Sequence, residues 1–170
     1  MLKLKELNIE DAAKEFEAVK KIPENENGFE NPMFNNTYYQ FVNITIPEFK
    51  NRSKGINLPN NYVPDTYFFL WDDNNIIGLF KIRHYLNDFL KNGPGHIGYT
   101  IINDYRGKGY ASKGLKLALE ISKNLIKEDE IYFAVLKNNP ISLKVLLNNG
   151  AYVAYENDNE YFVRIKKQNI

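Results

Sequence analysis

The sequence predicts an α+β fold: a mostly antiparallel, twisted central sheet with helices on both faces and one right-handed β–α–β crossover. Three observations carry this. From Thr66 onward, short runs rich in aromatic and β-branched residues are separated by turn residues. Between two such runs, residues 110–125 carry an apolar stripe at helical spacing. The chain has 170 residues, 44% hydrophobic and 25% charged, which is enough for one core and short for two. Residues 1–170 are therefore expected to form a single domain.

The elements follow in order. "MLKLKELN" alternates apolar and polar residues, as a half-buried strand does. "IEDAAKEFEAVKKI" places Ile9, Ala12, Ala13, Phe16 and Val19 at helical spacing, and Pro23 closes the segment. Residues 24–45 are Asn-rich and aromatic with weak periodicity, and "IPEFKNRSKGI" predicts a short helix opening at Pro47. "TYFFLW" and "IIGLFKIRHYL" are strands joined by the turn "DDNN". "HIGYTII" follows the turn "NGPG" and should pair with the strand before it. In the helix that follows, Ala111, Leu115, Ala118, Leu119, Ser122 and Leu125 lie on one stripe. "IYFAVL" is a buried strand. "NNPISLKVLLNNG" is a short helix with Asn139 as N-cap, Pro140 at the first helical position and Gly150 near its end. "AYVAYE" and "EYFVRIK" form a closing hairpin across "NDN".

Composition removes several functions. There is no cysteine, so disulfides, thiolate zinc sites and a cysteine nucleophile are excluded. The net charge of +1 gives no electrostatic footprint for nucleic acid. No apolar run approaches the ~20 residues that span a bilayer, and the N-terminus lacks the pattern of a signal peptide. A cytoplasmic protein without a membrane partner is expected.

The stretch "NDYRGKGYASKGLKLALE" carries the chemistry. Gly107 and Gly109 allow positive φ and let a ligand approach bare backbone. The helix that follows offers unpaired N–H groups and the positive end of its dipole. Together these make an anion site. Arg106 can fork onto phosphate oxygens, and Lys108 and Lys113 can add point charges. The same residues also fit an ordinary turn with solvated basic side chains. Two other phosphate motifs fail. A P-loop needs Ser or Thr directly after Gly-Lys, and Lys108 is followed by Gly109. The dinucleotide fingerprint needs a third glycine, and Ala111 and Ser112 break its spacing.

"RGKGYA" resembles the Gln/Arg-x-x-Gly-x-Gly/Ala signature of the GNAT N-acetyltransferase superfamily, with Arg106, Gly109 and Ala111 at its fixed positions. "NNPIS" is similar to the family's second signature, Asn-x-x-Ala/Ser, through Asn139 and Ser142. "RHYLNDFL…GHIGYTI" resembles a bacterial branch of that family. The resemblance implies the GNAT fold and an acyltransferase. It would move the acetyl group of acetyl-CoA to a primary amine of a small molecule or peptide, with no metal. It further implies that backbone N–H groups of Arg106, Gly107, Lys108, Gly109, Tyr110 and Ala111 hold the pyrophosphate. The strand at Thr100, Ile101 and Ile102 would splay from "IYFAVL", so that the pantetheine arm pairs with it as an added strand. Asn139 would touch that arm beside Ser142. A CoA-binding sensor on the same fold, with little or no transfer, is the alternative.

Acetyl transfer needs a neutral amine and hence a route for its proton. His96 is the first candidate base, because it opens "HIGYTII" and by alternation shares a face with Gly98 and Thr100. His84, on the neighbouring strand, is the second. In the family a tyrosine seven residues after the motif asparagine often protonates the leaving thiolate, but here that position is Leu146. Tyr152 and Tyr155 lie on the next strand. For the acceptor, Glu24, Glu26 and Glu30 with Tyr38, Tyr39 and Phe41 offer carboxylates and aromatic faces suited to a cationic amine. A homodimer is compatible with the sequence.

Overall fold

Alternating and aromatic runs become two sheets that part from one another. The computed structural model describes residues 1–170. In chain order, β1 (Leu2–Glu6) leads to α1 (Ala12–Lys20) and a two-residue hairpin, β2 (Asn25–Glu26) and β3 (Phe29–Glu30). A helical stretch follows: α2 (Tyr38–Gln40), one π-helical turn (Phe41–Thr45) and α3 (Ile46–Ser53). Then come β4 (Asp65–Asp72), β5 (Asn75–Arg83), the short α4 (Asp88–Lys91), β6 (Ile97–Ile101), α5 (Tyr110–Leu125), β7 (Glu130–Leu136), α6 (Pro140–Asn148), β8 (Tyr152–Glu156) and β9 (Glu160–Lys166). No helix is long and apolar enough to cross a membrane.

The first sheet has the order β1-β4-β5-β6 and the second β7-β9-β8, and every ladder in them is antiparallel. Strand, helix and strand succeed one another as expected at β6, α5 and β7. However, these two strands share no ladder; one isolated bridge, Gly95 to Phe133, links the sheets. α5 lies on one face of the first sheet, where Leu115, Ala118 and Leu119 pack with Phe80, Ile82 and Phe133. On the other face Ala18 and Val19 of α1 and Phe49 of α3 pack with Phe69, Trp71 and Leu79. Burying a side chain of this size contributes about 1.5–3 kcal/mol. The two-sided core therefore fixes which edges stay open.

Three local expectations are corrected. The helix expected to open at Pro47 begins at Tyr38, where Thr37 accepts the Gln40 N–H and Gln40 reaches back to Thr37 in a capping box. Pro47 lies inside the run, and a proline there would clash with the carbonyl four residues back. The π turn widens the helix just before it, with the Ile46 N–H donating to the Phe41 carbonyl five residues earlier. Next, α4 interrupts the stretch between β5 and β6, capped by Asn87, whose side chain accepts the Leu90 N–H. Finally, α1 is rotated from the expected phase: Ile9 and Ala13 are exposed, and Glu15 is buried.

Glu15 accepts the Asn8 N–H at 3.2 Å and the Asn8 side chain at 3.2 Å. Burial pushes its carboxyl up from the ordinary 4.5 to about 8. A raised folded-state pKa means that stability is fully present below the unfolded value and is lost as pH rises through the folded one. Glu15→Gln is therefore expected to match the native protein near pH 4.5 and to be the more stable at pH 8, by roughly 4 kcal/mol. Parallel melting curves across that range would refute the burial argument.

Candidate functional site

Backbone geometry builds the α5 entrance. A 3₁₀ turn (Asn103–Tyr105) follows β6, and Gly107 and Gly109 then take left-handed φ of 75° and 77°. Gly109 is the N-cap, and no side chain caps the helix. The nearest backbone bonds are Arg106 N–H to Asn103 and Lys113 N–H to Gly109. The N–H groups from Gly107 to Ser112 therefore have no partner within the protein. A Cβ added at Gly107 or Gly109 would meet nothing within 4 Å, so the entrance is open. Open space beside a row of unpaired donors at a helix N-terminus fits a diphosphate.

The side chains around this entrance are arranged differently from expectation. Arg106 donates Nε to the Ile101 carbonyl at 2.8 Å and forks both terminal nitrogens onto the Glu26 carboxylate, Nη1 at 3.0 Å. The expected fork onto phosphate is thus made onto the β2–β3 hairpin, and the Arg106 N–H is spent on Asn103. Hydrogen bonding from Arg106 holds the Glu26 carboxyl below its usual range. Lys108 Nζ donates to the Asp104 carbonyl at 3.0 Å, and Lys113 is exposed. Tyr110 anchors the start of α5 by donating to Asp72 at 2.7 Å.

The opening between β6 and β7 begins at its closed end. The His96 N–H donates to the Tyr132 carbonyl at 2.7 Å, and the Tyr132 N–H donates to His96 Nδ1 at 2.9 Å. Gly95 takes φ 69°, and a Cβ there would fall 2.2 Å from the Tyr132 carbonyl oxygen, so only glycine lets the strands touch. Beyond this joint β6 is paired with β5 alone. Thr100 and Ile101 stand opposite Leu79 and Gly78, and no strand pairs with the other edge, where the Ile101 carbonyl accepts from Arg106. The buried Ile102 continues the sheet by donating its N–H to Ile77 at 3.0 Å.

α6 faces that edge. Asn139 caps it by accepting the Ser142 N–H at 3.2 Å, which uses its carbonyl oxygen and leaves its amide free. The Ser142 hydroxyl lies 3.1 Å from the Tyr99 hydroxyl, so one hydrogen bond spans from β6 to α6. Tyr99 stacks on Phe80 at 5.4 Å, and burial pushes its phenol up to about 12, so it is a neutral donor at physiological pH. Sequence reasoning missed Tyr99, although "HIGYTII" contains it. Leu146, where the family tyrosine would stand, is buried in the core. Tyr152 is exposed and donates to Glu130 at 2.7 Å, and Tyr155 stacks on Phe162.

Both histidines are hydrogen-bonded within the protein. His96 is fully buried, with Nδ1 accepting from Tyr132 and Nε2 3.1 Å from Glu128. An accepting Nδ1 places the proton on Nε2, which donates to the carboxylate. Both nitrogens are engaged, and burial holds the ring below its ordinary pKa, so His96 braces the joint of the two sheets. His84 lies one position beyond Arg83, whose N–H donates to the His96 carbonyl, so alternation puts the two rings on opposite faces. His84 Nε2 is 2.8 Å from Thr66 Oγ1.

Half of the six acceptor candidates are engaged or buried. Glu26 holds Arg106, Glu24 accepts from Asn35 at 2.8 Å, and Phe41 is fully buried. Glu30, Tyr38 and Tyr39 are exposed. The β2–β3 hairpin spans the opening, since the Phe29 ring would contact a Cβ at Gly98 (3.3 Å) and Leu136 would contact one at Gly28 (3.9 Å).

Comparison with known proteins agrees with this architecture. The family model described as acetyltransferase (GNAT) domain matches residues 4–152. No curated protein is significantly similar in sequence. Among solved structures, a chimaeric spermidine N-acetyltransferase, SpeG, from Vibrio cholerae and hSSAT is 17% identical, covers 98% of this chain and 96% of its own, and has a TM-score of 0.63. The ribosomal-protein-S5-alanine acetyltransferase from Vibrio fischeri is 17% identical, with 98% and 93% covered and a TM-score of 0.68. The Campylobacter jejuni N-acetyltransferase PseH, solved with acetyl coenzyme A, is 17% identical, with 98% and 99% covered and a TM-score of 0.58. At these identities the structural likeness establishes the fold.

Proposed function

The chain belongs to the GNAT acetyltransferase family, and from that premise we propose that it transfers the acetyl group of acetyl-CoA to a primary amine of a small molecule or peptide. The observation that carries this reading is the row of unpartnered N–H groups from Gly107 to Ser112, at the end of a strand whose far edge is open. Donors from Gly109, Tyr110, Ala111 and Ser112 grip the diphosphate. The pantetheine arm lies along the strand-free edge of Tyr99–Ile101, with the Asn139 amide beside it.

The amine nitrogen attacks the thioester carbonyl, a C–N bond forms and the C–S bond breaks. His96 is hydrogen-bonded through both nitrogens and His84 through one, and in this reading the amine's proton leaves to solvent water. The Tyr99 hydroxyl, held beside Ser142, donates a hydrogen bond to the departing thiolate, which takes its proton from solvent water. The engagement of both histidines also favours a second reading, a coenzyme sensor with little transfer. An amine library incubated with acetyl-CoA, read as free thiol release, tests the choice. Amine-dependent thiol release, with kcat/KM rising with pH toward the amine's pKa and no inflection near 6.5, is expected. Tight CoA binding with no amine-dependent release would select the sensor.

A further inference from the structure

The charges on the α1–α3 face of the first sheet do not balance. Arg52 of α3, Asp65 of β4, and Lys81 and Arg83 of β5 gather at one end of it. Arg52 Nη2 donates to Asp65 Oδ2 at 2.6 Å, and Lys81 Nζ lies 3.0 Å from the same oxygen. Arg83 donates Nη1 to the Gly95 carbonyl at 3.0 Å and pairs with no carboxylate. Glu30 and Asp65 act on Arg83 only from a distance. Three cations thus share one buried carboxylate.

The side chains of Arg52 and Asp65 are 9% and 3% exposed, yet Arg52 Nε and Asp65 Oδ1 have no partner. Uncompensated buried charge is costly, and an arriving anion would offset the excess of cations, whereas the Asp65 oxygen calls for a donor. The cations are held in place: Arg52 lies over Phe49 at 4.7 Å and Tyr62 at 5.4 Å, and Lys81 lies over Tyr67 at 5.3 Å. Lys81 keeps 17% of its side chain exposed and Arg83 is half-buried, so both can be reached.

Position gives the cluster its use. Lys81 stands opposite Gly98, and Arg83 opposite His96, on β6, the strand with the open edge. Both cations therefore rise from the strand next to the one along which the thioester would lie, the two backbones being one strand spacing, ~4.8 Å, apart. We propose that Lys81 and Arg83 receive an anionic group of the acceptor, a carboxylate or a phosphate, so that the substrate is an amine that also bears an anion. This rests on the acetyl-transfer reading above. It differs from recruitment of a cationic amine by Glu24, Glu26 and Glu30, of which Glu26 holds Arg106 and Glu24 holds Asn35.

The test is kcat/KM at saturating acetyl-CoA for matched amines: an amino acid against its amide, and a phosphorylated amino alcohol against the free alcohol. The charged member of at least one pair is expected to be used about ten-fold better or more, and the pair with the larger ratio identifies the anion. Arg83→Met should bring that ratio toward one without changing CoA affinity, and Arg83→Lys should keep part of it. Equal use within both pairs, preference for polyamines, or equal loss for both members in Arg83→Met overturns the proposal. If Arg83→Met does not fold, the wild-type ratios alone decide. If no amine is acetylated, the transfer reading falls, and inorganic phosphate decides the anion site separately. Millimolar phosphate should raise the wild-type melting temperature and not that of Arg83→Lys to the same extent; no wild-type shift overturns the site.

Discussion

Glutamate in place of Gly109 is expected to weaken coenzyme A binding by about a hundred-fold or more while the protein stays folded. The position is an N-cap at φ 77° with nothing within 4 Å of an added Cβ, so the new side chain meets no protein atom. A non-glycine residue there costs roughly 1–2 kcal/mol of backbone strain, which a folded domain tolerates. The carboxylate would stand in front of the unpaired N–H groups that the diphosphate needs. Each charge-assisted hydrogen bond contributes about 1.5–3 kcal/mol, so losing two accounts for the expected loss of affinity. Titration calorimetry with CoA, alongside a melting curve, reads both quantities. Unchanged affinity would remove the cradle.

His96→Ala is expected to lose stability, with no signature of a missing base. The ring fills a fully buried site and makes two hydrogen bonds at the joint of the two sheets. Truncation leaves a cavity, the Tyr132 N–H unpaired and Glu128 with the Leu86 N–H but not the ring as donor, at a cost of roughly 3–5 kcal/mol. For a chain of this length that corresponds to a melting temperature lower by about 10 °C. Burial depresses the His96 pKa below 6.5, so its contribution to stability is present above that value and is lost as pH falls through the folded one. The variant's melting temperature should accordingly respond less to acidification below 6.5. Any activity that survives should keep the wild-type pH–rate shape. A stable variant with an acid-side limb removed from its rate profile would restore His96 as the base.

Much of the fold was legible because its signals are local. "DDNN" bends β4 into β5 with Asp73 at φ 50°, and Asn139, Pro140 and Gly150 mark the two ends of α6 as anticipated. The α5 entrance was legible for the same reason, since its donors and glycines are consecutive. Side-chain roles were harder, because they depend on partners far along the chain. Arg106 meets Glu26 across 80 positions, Tyr99 meets Ser142 across 43, and His96 meets Glu128 across 32. No periodicity encodes such pairs. The helix from Tyr38 was hidden by its asparagines and by Pro47, whose clash the π turn relieves. Glu15 occupies a position that polarity alone assigns to solvent.

The central claim is that main-chain donors at the α5 entrance hold a diphosphate and thereby lay a thioester along β6. A crystal soaked in acetyl-CoA tests it most directly. The account predicts phosphate oxygens within hydrogen-bond reach of the N–H groups from Gly109 to Ser112, with the pantetheine arm between β6 and β7. Ligand bound elsewhere while that entrance stays empty, or an entrance filled by the protein's own side chains, would contradict it.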